Sequence, residues 1–331
     1  MTAKRKVKKA PRIVKNPTLP IKLHKRTICR SYGLKEFTAL KVWQGVSAFD
    51  GKEIMAVLSN YATNSDNKKI GLPFCQLYTL PVGVVPNVGF QEKHPTVCGS
   101  CTHLGNGCYV QWQWLLNLYN CTKDQVPYFD SDKGQRLIVD LVKDQLIRIG
   151  AAGDPMALPF WLVKRLVSVS KAHTSYTHAW MNLDLVDSVQ PCPYDDEMIQ
   201  TWQDICMASV DSPAEYDAAR ALGWRTFRTL RGGLDSSWVR GSNGKDRFLE
   251  SSQLLKGEVE CLADSHKKTC ADCMLCDGTR RSMKIRNVVI GTHGSNMYKF
   301  HLDPFLHPKF DQVRARLLQR LRCKLDEHVS V

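Results

Sequence analysis

"ICMASVDSPAEYDAARALGWRTFRTL", residues 205–230, is the stretch from which the fold can be read. Its apolar opening, 205–210, reads as a buried strand. Ser212, Pro213 and Glu215 then form a capping box with proline at the first helical position, and Gly223 closes the helix. "WRTFRTL" (224–230) starts a second strand at once. A strand, a helix and a strand in immediate succession are the repeat of a parallel sheet with helical crossovers.

The alternation continues on both sides of this unit. Upstream, Leu137, Ile138, Leu141, Val142 and Leu146 fall at helical spacing and run into a strand, "LIRIG" (146–150). Helical patterns near 156–171 and 195–203 lead to "HTSYTH" (173–178) and back to the opening unit. Downstream, "EVECLA" (258–263) and "NVVIG" (287–291) read as short strands. Near the N-terminus, 52–61 and 72–80 read as two strands around the turn "TNSDNKK". The expected fold is α/β, a complete or partial (β/α) barrel, with an open doubly wound sheet as the alternative. We divide the chain into a basic arm (1–30), a barrel-like domain with cysteine-rich loops (31–300) and a C-terminal basic amphipathic helix (301–331).

The expected strands end in polar residues: Asp154, His178, Asp211, Arg231, Asp264 and His293. Turn formers and helix caps also end strands. Six such ends in succession, two of them histidine and one arginine, instead suggest one shared site at the C-terminal face, where barrels place their chemistry. Asp154, His178, Asp211, Arg231 and His293 are the candidate catalytic residues, and Gly153 is a candidate for cofactor contact.

Two cysteine groups stand out. Cys261, Cys270, Cys273 and Cys276 lie in "ECLADSHKKTCADCMLC", where two-residue gaps let thiolates curl around one metal. That spacing suits an iron–sulfur cubane, and four thiolates equally suit zinc. Cys98, Cys101 and Cys108 lie in "TVCGSCTHLGNGCYV" (96–110), one ligand short. His103 or Cys121 would complete a zinc site there. Otherwise the open position belongs to a substrate or cofactor, as a catalytic metal requires. The remaining cysteines, including Cys75 and Cys206, read as structural.

"VCGSCTHLGNGCYV", "IRIGAAGDP", "YTHAW", "CMASVDSPAEYDAARALGWRTFR" and "TCADCMLCDG" together resemble a family of uncharacterised phage and prophage proteins, over roughly residues 60–295. That resemblance implies relatives without a reaction. A cysteine loop ahead of a (β/α) array is also similar in layout to radical S-adenosylmethionine enzymes. Those enzymes space their cysteines C-x3-C-x2-C, whereas this loop is C-x2-C-x6-C. The layout implies a 4Fe-4S cluster on Cys98, Cys101 and Cys108, S-adenosylmethionine as cofactor, and an auxiliary cluster downstream.

The formal charge is +14 over 331 residues, and residues 1–26 carry ten Lys/Arg and no acid. The rest holds 36 basic against 32 acidic residues, so the charge belongs to the arm. Such an arm suits a phosphate backbone, though it also serves as a solubilising tail. The expected helix at 309–325 exposes Arg314, Arg316, Arg320 and Arg322. No run of eighteen apolar residues and no secretory signal is present, and thirteen cysteines suit a reducing compartment, so the expected location is cytoplasmic. Two functions follow: an iron–sulfur enzyme, with nucleic acid among its candidate substrates, or a nucleic-acid-binding phage protein with structural zinc sites.

Overall fold

A computed structural model describes residues 39–59, 74–86, 95–181, 200–230, 239–240, 247–248 and 254–291, apart from 100, 102, 105–107, 109, 111, 113–114, 267 and 280–285. The expected arm, Arg231, His293 and the expected C-terminal helix lie outside the described residues.

The chain begins with an antiparallel meander. Strands β1 (Ala39–Val46), β2 (Glu53–Ser59) and β3 (Phe74–Pro81) pair in sequence, with an irregularity between Lys41 and Trp43. From β3 onward the sheet is parallel: β4 (Leu146–Ala152), β5 (Ala172–Thr177), β6 (Met207–Val210) and β7 (Thr226–Leu230) follow in chain order. Strands β8 (Val239–Arg240) and β9 (Arg247–Phe248) form a separate pair. The last two strands enter in reverse. β11 (Asn287–Gly291) pairs with β7, and β10 (Glu258–Glu260) lies outside it. The order is β1-β2-β3-β4-β5-β6-β7-β11-β10, with β1 and β10 as edges. Among the described residues the sheet does not close into a complete barrel. Nor does the order reverse within β3–β7, as a doubly wound sheet requires.

Residues paired across a ladder share a face, and alternate residues change face. Arg148 opposite Thr174, Tyr176 opposite Met207, and Phe227 opposite Ser209 and Val288 therefore lie on one side. Ile147, Ile149, Ser175, Thr177, Ala208, Val210, Thr226 and Val289 lie on the other, and all of these are buried. Helices cover that second face. α1 (Leu115–Thr122) precedes the crossover to β4. α2 (Asp132–Val142) turns Leu137, Ile138, Leu141 and Val142 inward, and its Leu141 carbonyl meets the Cys75 thiol of β3. α3 (Phe160–Val169) buries Leu162, Val163 and Leu166. α4 (Pro213–Ala221) brings the Tyr216 hydroxyl to Asn287, whose amide donates to it at 3.0 Å. On the first face Thr174, Met207, Ser209 and Val288 are buried as well, while Arg148, Tyr176, Phe227 and Thr229 are only partly covered.

The start of α4 follows the expected cap with one change. Ser212 Oγ accepts from the Glu215 N–H at 3.2 Å, but the Glu215 carboxylate takes the N–H of Asp211, not of the cap residue, at 2.7 Å. That bond fixes the backbone of a strand-end residue. Among the described residues, no helix is long and apolar enough to cross a membrane.

Candidate metal centre

The loop carrying Cys98, Cys101 and Cys108 leaves β3 and returns to the C-terminal edge of the parallel sheet. It is built from successive short turns. Cys98 and Gly99 N–H groups both bond the Pro95 carbonyl, the Cys101 N–H bonds the Cys98 carbonyl, and the Cys108 N–H bonds the His103 carbonyl. Three tethers fix the loop from outside. Ser47 Oγ donates to the Thr96 carbonyl at 2.6 Å, Thr96 Oγ1 donates to Asp50 Oδ2 at 2.8 Å, and the Asp154 N–H donates to the Val97 carbonyl at 2.6 Å. The last contact explains Gly153. Its φ is +75°, and a Cβ there would lie 2.8 Å from both the Thr79 carbonyl oxygen and the Thr79 Cβ. Only glycine lets the end of β4 pass so close to β3.

Three adjacent strand ends face this loop. Asp154, after β4, is buried, and its carboxylate is committed to hydrogen bonds. Oδ1 accepts from the Met156 N–H at 2.9 Å and the Thr177 hydroxyl at 2.8 Å, and Oδ2 accepts from the His178 N–H at 2.7 Å. Burial lifts its pKa to about 6, against the pull of those donors. Asp154 therefore joins the ends of β4 and β5 and orients His178. The His178 ring, after β5, places Nε2 3.9 Å from Cys101 Sγ and lies edge-on to His103, 5.3 Å between centroids. Asp211, after β6, puts Oδ1 2.9 Å from His103 Nε2. One ligating atom each from His103, His178 and Asp211 lies within 4.8 Å of the others, a geometry able to hold a metal ion.

No family model, curated protein or solved structure matches this chain. Its chemistry rests on its own atoms. The Cys98 thiol is pushed well above its ordinary range, first by burial and then by Cys101, Cys108 and Asp154 close by. Burial likewise raises Cys108, partly offset by the Val110 N–H and the Trp112 indole. Crowded thiols of this kind ionise readily only when a cation takes up the charge. Cys121 is exposed on α1. Of the residues expected from sequence, the structure thus gathers Cys98, Cys101, Cys108, His103, His178 and Asp211 at one edge, and gives Asp154 and Gly153 positioning roles beside them.

The second cysteine group lies elsewhere. Cys261 directly follows β10, and its N–H donates to the Val289 carbonyl of β11 at 2.8 Å. Asp264 falls in a short helical turn, α5 (Leu262–Ser265), and not at a strand end as expected. Cys270 and Cys273 begin and end another turn, α6 (Cys270–Cys273), which has a reciprocal cap between Thr269 and Asp272 and a left-handed Met274 at its end. The Cys276 carbonyl accepts from the Ser175 N–H of β5 at 2.9 Å. The Cys276 thiol is pushed up by burial and by Cys261, Cys270 and Cys273, against a hydrogen bond donated by the Tyr176 hydroxyl. Arg225 clamps this loop, donating to Asp277 Oδ1 at 2.8 Å and to the Leu275, Thr279 and Arg286 carbonyls at 2.6, 3.1 and 2.8 Å. Tyr176 and Arg225 lay beyond sequence reasoning, because nothing local links them to cysteines 50 to 100 residues away.

Proposed function

We propose that this chain is a phage-type iron–sulfur enzyme with its reactive centre at the C-terminal edge of the parallel sheet. Cys98, Cys101 and Cys108 are the cluster ligands, and the layout resembles that of radical S-adenosylmethionine enzymes. The observation that carries the reading is the convergence of the three-cysteine loop, which carries His103, with His178 and Asp211 at neighbouring strand ends. The sequential order of β3–β7, with α2 and α4 on one face, supports a partial barrel whose C-terminal strand ends form that edge. A cubane on three cysteines supplies one-electron chemistry and an iron open to an exogenous ligand such as S-adenosylmethionine. The protein's part is to hold and move protons around it. Asp211 fixes the orientation of His103, making the pair a candidate acid–base couple. His178 stands beside Cys101 with its backbone held by Asp154. The ten cations of residues 1–26 would suit a nucleic-acid substrate.

A second reading has its own observation. Two imidazoles and a carboxylate within 4.8 Å match the donor set of a mononuclear zinc or iron(II) centre, with Cys101 close to His178. Anaerobic reconstitution with iron and sulfide, followed by metal and sulfide analysis and electron paramagnetic resonance with and without S-adenosylmethionine, separates the two. The iron–sulfur reading expects Cys98→Ala to lose one cluster's worth of iron and sulfide, and the wild-type spectrum to shift with the added cofactor. Loss of a single metal in His103→Ala, with sulfide unchanged in Cys98→Ala, selects the mononuclear centre. Zinc alone, together with salt-sensitive nucleic-acid binding that is lost on removing residues 1–26, selects a nucleic-acid-binding protein with structural sites.

A further inference from the structure

We propose that Cys261, Cys270, Cys273 and Cys276 hold a metal centre that clasps the last strand of the sheet, β10, to β5 across the first face. The clasp stands in for the strand pairing that would close a barrel.

The topology poses the problem. β10 is separated from β5 by β11, β7 and β6, which makes four strand spacings. Laid flat, these would span about 19 Å at about 4.8 Å each. Yet one continuous set of contacts joins the two strands. Cys261 extends β10 through its bond to the Val289 carbonyl, and the turn α5 that follows it packs on α6. Cys270, Ala271 and Met274 of that second segment pack, as does Ala172 at the start of β5, against Leu146 at the start of β4. Cys276 then bonds Ser175, inside β5, through its carbonyl. The segment from Cys261 to Cys276 thus runs from the end of β10 to β5, and a crosslink among its cysteines would hold that edge to the sheet.

The residues at that junction are chemically suited to a metal. Cys261, Cys270, Cys273 and Cys276 are all partly buried along this path, and among the described residues no disulfide joins them. Four thiolates leave a zinc ion or a cubane no open position, so this centre is built for holding and not for turnover. The surroundings are made to hold ligands still. Arg225 fastens the loop at four acceptors, and Gly278, at φ +77°, lets it run against the Cys206 backbone, where a Cβ would lie 2.6 Å from nitrogen. Tyr176, its ring tilted against Phe227 at 4.2 Å between centroids, supplies a hydroxyl to the Cys276 sulfur. Hydrogen bonds of this kind orient a metal's ligands from outside. None of these residues belongs to the centre at the C-terminal edge, so the clasp stands whether or not that centre carries a cubane.

The test uses the full-length protein, prepared without oxygen in two arms, one supplied with zinc and one with iron and sulfide. Metal and sulfide are counted, and amide exchange is followed in peptides covering 258–261 and 287–291. In the arm that fills the site, Cys261→Ser should lose that metal, and the two peptides should exchange at least about tenfold faster while α3 keeps its protection. Cys98→Ala, whatever it loses at the other centre, should keep the metal that Cys261→Ser loses and leave exchange in both peptides unchanged. Should Cys261→Ser fail to fold, stripping the wild-type protein with a chelator reads out the same exchange. Zinc without sulfide names one source and matched iron and sulfide the other. The proposal is overturned if Cys261→Ser keeps its full complement of metal, if neither arm fills the site, or if removing the metal leaves exchange in β10 and β11 unchanged.

Discussion

Replacing Arg225 with methionine keeps the aliphatic stem and removes the guanidinium, which is buried at 4% exposure. Four acceptors lose their donor: the Asp277 carboxylate and the carbonyls of Leu275, Thr279 and Arg286. Charge-assisted hydrogen bonds contribute about 1.5–3 kcal/mol each, but four bonds to one group do not add, and Asp277 retains 27% exposure with which to recover water. The figure for breaking a buried charged contact, about 3–5 kcal/mol, is the better guide. An unfolding entropy near 2.1 cal/mol/K per residue gives about 0.7 kcal/mol/K for a chain of this length, so Tm should fall by about 4–7 °C. Calorimetry and denaturant titration measure this directly, and amide exchange at 270–279 should rise ahead of global unfolding. Arg225→Lys, which keeps the charge but not the fork, should fall between the two. A loss below about 1 kcal/mol, with exchange at 270–279 unchanged, would show that the loop stands without Arg225 and refute the clamp.

Other outcomes are equally open to measurement. Arg228 and Glu258 form a two-pronged buried pair at 2.7 and 2.6 Å, so Glu258→Gln should cost about 3–5 kcal/mol, whereas Arg228→Met with Glu258→Leu should be nearly neutral in denaturant titrations. Burial depresses the pKa of His173 despite its bond to the Ile205 carbonyl; the unfolded chain then takes up the proton first, so stability is complete above pH 6.5 and falls as pH drops toward the folded value. His173→Gln should flatten Tm between pH 7 and 5; a wild-type Tm that does not change over that range removes the histidine from the account. Deleting residues 1–26 should weaken binding to DNA and RNA and reduce the slope of log Kobs against log salt, by up to about 0.9 for each phosphate left without its cation; an unchanged slope makes the arm a solubility tail.

Much of the sheet was legible from residue pattern. The strand at 287–291 appears where its apolar run predicts, and β4, β5 and β7 differ from expectation by one or two residues at their ends. β1 was not legible. Its "ALKVWQGV" puts a lysine where a core residue would sit, and Lys41 is 3% exposed because its ammonium finds Gln44 Oε1 at 2.9 Å and the Lys123 carbonyl at 2.7 Å. The Lys123 carbonyl, 82 residues away, is a partner that only the tertiary structure supplies. His178 and Asp211 were readable as strand ends, since register and direction follow from the alternation of elements. The role of Asp154 was not, because the same residue type at the same place can face a substrate or spend its oxygens on neighbouring amides. Its partners Thr177 and His178 lie on the next strand, 23 and 24 residues on.

The reversed entry of the last two strands bears on how the chain acquires its structure. β11 lies between β7 and β10, so the earlier-made strand has no neighbour until the later one arrives. During synthesis, residues 258–260 emerge with no ladder to join, and the whole cysteine segment 261–276 appears while that strand is still unpaired. Native pairing at this edge completes only once residue 291 is available. Until then a short strand and four thiols are open to wrong partners, including strands of other chains. Expression at low temperature, or with ample metal present as residues 261–291 are made, should therefore raise the yield of native protein more than any change at the opposite edge.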